Sequence, residues 1–154
     1  MKKCLWVFFI VIIILMSTVL VWKVSKLRTF QFFGNIYPGI TTTEKVVALT
    51  FDDGPTDKTE EVLSILNDQN VKATFFVTGA ELEKNMREGK KIVAAGHELG
   101  NHTYSHNQMV LKSLNFIRDE IERTDVLIKE AGYQGEITFR PPYGKKLILL
   151  PYYL

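Results

Sequence analysis

The sequence predicts an α/β fold built on a parallel sheet, open or closed into a barrel. Three observations predict it. Two short, nearly continuous apolar runs, Val46–Phe51 and Ala73–Val77, have the character of strands covered on both faces. Amphipathic stretches of helical period lie between and after them, the later two ended by Gly96 and Gly132. Polar clusters then follow the strands directly, as expected where chemistry sits at the C-terminal ends of parallel strands.

The elements follow in chain order. Cys4–Trp22 carries no charge and is rich in Val, Ile, Leu, Phe and Trp. As a helix rising about 1.5 Å per residue it matches a hydrocarbon core of ~30 Å. Lys2 and Lys3 precede it; Lys23, Lys26 and Arg28 follow. A cleaved signal peptide has a shorter apolar region and a small-x-small cleavage site. Residues 1–22 are therefore read as an uncleaved transmembrane signal-anchor. The flanking charges are nearly balanced and leave its orientation open. Residues 23–44 read as a tether, with Gly34, Pro38, Gly39 and three consecutive threonines; Phe30, Phe32 and Phe33 are placed against the domain or near the membrane interface.

The domain occupies residues 45–154. After the strand Val46–Phe51, Asp57 and Glu60 resemble a capping box opening a helix to about Asn70, with Val62, Leu63, Ile65 and Leu66 on its buried side. Ala73–Val77 is the second strand. Residues 80–95 read as one helix stopped by Gly96. His97–Gly100 is a short strand or turn. Leu114–Ala131 is a long amphipathic helix with Ile117, Ile121, Val126 and Ile128 near its apolar face, ended by Gly132. Ile137–Phe139 is a third or fourth strand.

Composition narrows the function. A chain of 154 residues holds one domain of this type. The formal net charge is +2, with two of the lysines at the extreme N-terminus, so the domain is close to neutral. No Lys/Arg stripe marks a nucleic-acid surface, and no nucleic-acid partner is expected. Cys4 is the single cysteine, which excludes disulfides within the chain.

Chemistry concentrates in three segments. Thr50-Phe51-Asp52-Asp53-Gly54-Pro55 places two carboxylates where a strand ends in a turn. On an extended backbone consecutive side chains point to opposite sides, so one aspartate can hold a metal while the other faces a substrate. Taken alone, Asp-Gly is also a common turn dipeptide. His102-Thr103-Tyr104-Ser105-His106 spaces two imidazoles four residues apart, a spacing that shares one face if the segment makes a helical turn. Asn101, Thr103 and Ser105 add little specificity by themselves. Two histidines and one carboxylate form the ligand set of a hydrolytic zinc site that keeps a position open, and the second aspartate is then free to act as a base. Arg140-Pro141-Pro142-Tyr143-Gly144 carries a guanidinium before a stiff backbone; Arg140 beside Asp52 would orient that carboxylate, and Tyr143 and Gly144 can offer backbone N–H groups to an oxyanion.

Together the three segments closely resemble the polysaccharide deacetylase family, also called the NodB-homology domain or carbohydrate esterase family 4. Its first motif, T-F-D-D-G, is matched at Thr50–Gly54; its second, H-[ST]-x-x-H, at His102–His106; its third, R-x-P-Y, at Arg140, Pro142 and Tyr143. The resemblance runs from about Val46 onward. It implies the N-terminal part of a distorted (β/α) barrel, preceded here by one transmembrane helix. It implies that Asp53, His102 and His106 bind a divalent metal, usually zinc. Asp52 would be the general base, Arg140 its positioner, and the Tyr143 N–H an oxyanion donor. The implied reaction removes N-acetyl groups from an acetylated amino-sugar polymer of N-acetylglucosamine type, by a membrane-anchored domain outside the cytoplasm.

Two later family motifs, an Asp/Trp segment and the Leu-x-Leu-His that supplies a catalytic acid, have no counterpart here, and no histidine follows His106. The chain is accordingly expected to be a fragment or truncated product of doubtful activity. The alternative function is a catalytically weak metal- or glycan-binding accessory protein. A 2-His-1-carboxylate iron oxygenase uses the same ligand types, but the adjacent second aspartate and the Arg-Pro-Pro-Tyr loop argue against it.

Overall fold

The computed structural model describes residues 2–154. Helix α1 (Lys2–Val24) is exposed along nearly its whole length; it is long and apolar enough to cross a membrane, as a signal sequence also is. Strand β1 (Thr50–Asp52), helix α2 (Thr59–Asp68), strand β2 (Thr74–Val77), helices α3 (Gly79–Lys84) and α4 (Met86–Ala94), strand β3 (Glu98–Asn101) and helix α5 (Leu114–Glu130) follow in order. A 3₁₀ turn at Pro142–Gly144 and a short helix α6 (Leu149–Tyr153) come last.

The sheet is parallel and its order is sequential, β1-β2-β3. A bridge between Asn101 and Phe139 adds a fourth backbone beside β3. Each step is a crossover through helix, as parallel neighbours require. Register sets the function of this sheet. Asp52 lies opposite Phe76, Phe76 opposite Gly100, and Val77 opposite Asn101. The residues that leave each strand are therefore level with one another along one rim.

The main core lies between sheet and helices: Leu66, Phe75, Val77, Leu82, Ile92, Leu99, Leu127 and Ile128 are all buried. Met109, Ile117, Ile121 and Leu150 form a second cluster under α5 and α6.

Several local expectations change. Of the first apolar run only Thr50 and Phe51 are strand, which continues to Asp52, and Val47 is 95% exposed. The reason is register: β2 begins at Thr74, opposite Thr50, so no residue of β2 stands beside Val46–Ala48. The Asp57 capping box does not form. Thr59 Oγ1 accepts from the Thr56 N–H and Thr56 Oγ1 from the Lys58 N–H, so threonines take the turn's donors. Along α2 the buried stripe is Thr59, Val62, Leu63 and Leu66, and Ile65 falls off it into solvent. Val126 is likewise off the buried face of α5. Residues 80–95 form two helices, broken at Asn85 (φ −119°, ψ 43°). The Asn85 amide donates to the Pro55 and Glu81 carbonyls, a side chain competing with the helical ladder. The fourth strand is reduced to the single bridge at Phe139.

Segment 23–44 is not free along its length. The Lys146 N–H donates to the Ser25 carbonyl at 2.9 Å, Lys146 Nζ donates to the Leu27 carbonyl at 2.5 Å, and Phe33 packs edge-on against Tyr152.

Candidate metal centre

β1 hands on to a tight loop that turns one aspartate away from the other. The ladder continues one step beyond β1, with the Asp53 N–H donating to the Phe76 carbonyl at 3.1 Å. Asp53 then adopts φ 70°, a left-handed conformation that aspartate tolerates better than most residues. The two carboxylates diverge because of this kink, and not by the alternation of an extended strand. The loop beyond is pinned from β2 and α3: the Thr78 N–H donates to the Gly54 carbonyl and Asn85 to that of Pro55.

The histidine segment also departs from expectation. It is no helical turn; Thr103 (φ 68°) and His106 (φ 56°) both take left-handed conformations. The loop closes on itself where the His106 N–H donates to Thr103 Oγ1. The first N–H groups of α3, from Gly79 and Ala80, donate to the Thr103 and Tyr104 carbonyls at 3.0 Å each. His102 enters this loop from β3, its own N–H donating to the Val77 carbonyl.

These backbones bring Asp53, His102 and His106 together, with one ligand atom from each lying within 4.8 Å of the others. Asp53 Oδ1 is 3.5 Å from His102 Nε2 and 3.2 Å from His106 Nε2. His102 Nδ1 meets the Arg140 carbonyl at 2.6 Å. A carbonyl only accepts, so Nδ1 carries the proton and Nε2 of the neutral ring presents its lone pair toward Asp53. Burial also pushes the His102 pKa down, opposed by that carbonyl, which favours the neutral ring that a metal requires. Two imidazoles and one carboxylate, beside a groove of about 250 Å³ lined by Asp53, Thr78, Tyr104 and His106, fit a tetrahedral cation with an open side.

Asp52 faces the other way. Arg140 Nη1 donates to Asp52 Oδ1 at 2.5 Å and to Thr50 Oγ1 at 3.0 Å. Arg140 follows the Phe139 bridge, its N–H donating to the Asn101 carbonyl. Its guanidinium lies 3.8 Å from the centre of the Phe76 ring. Tyr143, at φ 57°, sets its ring 4.8 Å from that of His106. All six residues singled out in the sequence thus lie along one rim.

Other contributors carry no sequence signal of their own. Phe76 supports Arg140, and Gly100 makes room for it, since a Cβ there would stand 2.6 Å from the ring. Asn101, Ser105 and Glu120 hold the histidine loop. His97, the third histidine, is buried elsewhere, with Nδ1 accepting from the Ala73 N–H.

The family model for polysaccharide deacetylase matches residues 39–149. The chain belongs to the polysaccharide deacetylase family. It is 45% identical over 103 residues to a Bacillus cereus peptidoglycan-N-acetylglucosamine deacetylase, a match covering 66% of this chain and 37% of that protein. It is 39% identical to a Listeria monocytogenes protein of the same description, covering 66% of this chain and 22% of the other. Among solved structures, a family 4 carbohydrate esterase from Streptomyces lividans, in complex with acetate, matches at TM-score 0.65 and 36% identity, covering 70% of this chain and 56% of that one. The chain thus spans roughly a fifth to about half the length of these relatives. Its α/β architecture, with a partial sheet, is that of the carbohydrate esterase family 4 deacetylases.

Proposed function

We propose that this chain belongs to an enzyme that hydrolyses N-acetyl groups from N-acetylglucosamine units of a cell-wall glycan. The observation that carries the reading is the split of the two aspartates, Asp53 toward the imidazoles and Asp52 toward Arg140. Asp53, His102 and His106 would hold a divalent cation, zinc by the softness and geometry of the set. Such a cation supplies Lewis acidity, making water a nucleophile near neutral pH and polarising a carbonyl. Asp52 takes the proton from the attacking water. Arg140 orients Asp52 through the 2.5 Å contact and is itself held by Phe76. The Tyr143 N–H faces the oxyanion as the amide carbon becomes tetrahedral. The amide C–N bond then breaks as the leaving nitrogen takes up a proton equivalent to the one Asp52 removed from water, giving acetate and a free amine.

The relatives' descriptions support a peptidoglycan substrate. The sequential parallel sheet supports a distorted (β/α) barrel as the complete architecture. Residues 1–22 anchor the protein in the membrane, 23–44 link anchor to domain, and 45–154 carry the deacetylase site outside the cytoplasm, where the polymer is.

Acetate release from acetylated glycan tests the reading. Asp52→Asn should retain metal and lose turnover by roughly 10²–10⁴, the usual contribution of a positioned base. Asp53→Asn should lose both. The reverse pattern would exchange the two roles.

A further inference from the structure

Each imidazole of the centre is preceded by a residue that α5 holds through a carboxylate. Before His106 stands Ser105. Its N–H donates to Glu120 Oε2 at 2.8 Å and its hydroxyl to Glu120 Oε1 at 2.7 Å. Glu120 is 6% exposed, and Ser105 supplies donors to both of its oxygens. Before His102 stands Asn101. Its amide donates to Asp125 Oδ1 at 2.7 Å and to the Ile121 carbonyl at 2.9 Å, while its Oδ1 accepts from the Thr103 N–H at 2.8 Å. Glu120 and Asp125 are little more than one helical turn apart, so a single rigid element grips the loop at two points.

The loop needs such a grip. Thr103 and His106 hold left-handed conformations, sparsely populated for non-glycine residues, that persist only where the surroundings over-determine them. A hydrogen bond to an ionised carboxylate is roughly twice as strong as one between neutral groups. Burying a carboxylate is also costly unless it is fully hydrogen-bonded, so a buried Glu120 devoted to one serine calls for a return.

We infer that Glu120 and Asp125 are positioning residues of the metal centre: α5 sets the separation and orientation of His102 and His106 through Ser105 and Asn101, and thereby sets metal affinity. The inference rests on the metal reading above. Neither residue touches the ligand atoms, and their effect passes through the backbone of the residue before each histidine.

Cobalt(II) binding to the 154-residue chain in detergent tests it, followed by the cobalt absorption bands in competition with a chelator. Glu120→Ala and Asp125→Ala should each bind cobalt 10–100-fold more weakly, the usual effect of removing an outer-shell partner. Their absorption bands should also shift. Glu120→Gln keeps an acceptor for Ser105 and should recover most of the affinity. Val126→Ala, on the exposed face of the same helix, should bind as wild type. Helix packing alone would lower the thermal midpoint in chelator and leave cobalt affinity and bands unchanged; that result overturns the inference. Should Glu120→Ala fail to fold, Ser105→Ala removes the hydroxyl donor and spares the helix; several-fold weaker cobalt binding supports the inference, and wild-type binding overturns it. A wild-type chain that takes up no cobalt overturns the metal reading itself.

Discussion

Arg140 lies over the face of Phe76, its guanidinium carbon 3.8 Å from the ring centre. The residue that reaches Asp52 is thus braced from the sheet, and Phe76 belongs to β2, the strand paired with the one that carries Asp52. The guanidinium is fixed on three sides, by the ring, by Thr50 and by Asp52.

Arg140→Lys should therefore not be conservative. An ammonium keeps the charge and loses the planar stack over Phe76. Turnover should fall about tenfold or more, with metal content unchanged. Phe76→Leu keeps an apolar residue beneath Arg140 and removes a cation–π contact worth about 0.5–2 kcal/mol; it should lower turnover in the same direction and less. Kinetics beside metal analysis checks both, and a loss of metal in either variant would contradict the separation of the two aspartates.

Gly79 sits where β2 meets α3, under the histidine loop. A Cβ there would stand 2.4 Å from Tyr104 Cδ2 and 2.7 Å from Thr124 Oγ1, between loop and α5. Gly79→Ala should destabilise the domain by about 1–3 kcal/mol, the usual range for overpacking. Urea denaturation monitored by circular dichroism reads this as a lower midpoint at constant slope. An unchanged midpoint would mean that Tyr104 moves aside freely.

His97 gives the domain an acid-sensitive point away from the metal centre. Burial, and then the charge of Lys72, hold its imidazole below the ordinary value of 6.5. The unfolded chain therefore binds this proton at higher pH than the folded one. The neutral ring's contribution is complete above about pH 6.5 and is lost as pH falls through the folded value. Protonation also removes the acceptor that Nδ1 offers to the Ala73 N–H. In chelator, the thermal midpoint should fall between pH 7.5 and 5, and His97→Gln, whose carbonyl can accept the same N–H, should fall less steeply. Equal slopes would remove His97 from the account.

Much of this centre was legible in the sequence because its signals are local. An apolar run ending in Asp-Asp-Gly-Pro marks a strand end, and parallel strands bring their ends to one rim whatever the exact register. Asp52, Asp53, His102, His106, Arg140 and Tyr143 fall near such strand ends, and their joint order and spacing, matching the family's three motifs, singled them out. What escaped is set by contacts distant in sequence. Val46–Ala48 read as strand, yet β2 has no residue opposite them. Asn85 breaks a helix because Pro55, thirty residues away, offers a carbonyl. Glu120 reads as one more acid on an amphipathic helix until the fold sets Ser105 against it. The i, i+4 spacing of the histidines suggested a helical turn, and a loop with two left-handed residues achieves the same convergence.

The central claim is that Asp53, His102 and His106 form one cation site and that Asp52 stands outside it. Metal stoichiometry of the purified 154-residue chain and four variants tests this most directly, with circular dichroism to establish that each variant is folded. Zinc should bind close to stoichiometrically in the wild type and in Asp52→Asn. It should be largely lost in Asp53→Ala, His102→Ala and His106→Ala. Undiminished zinc in a folded His102→Ala or His106→Ala variant, or its loss in Asp52→Asn, would contradict the account.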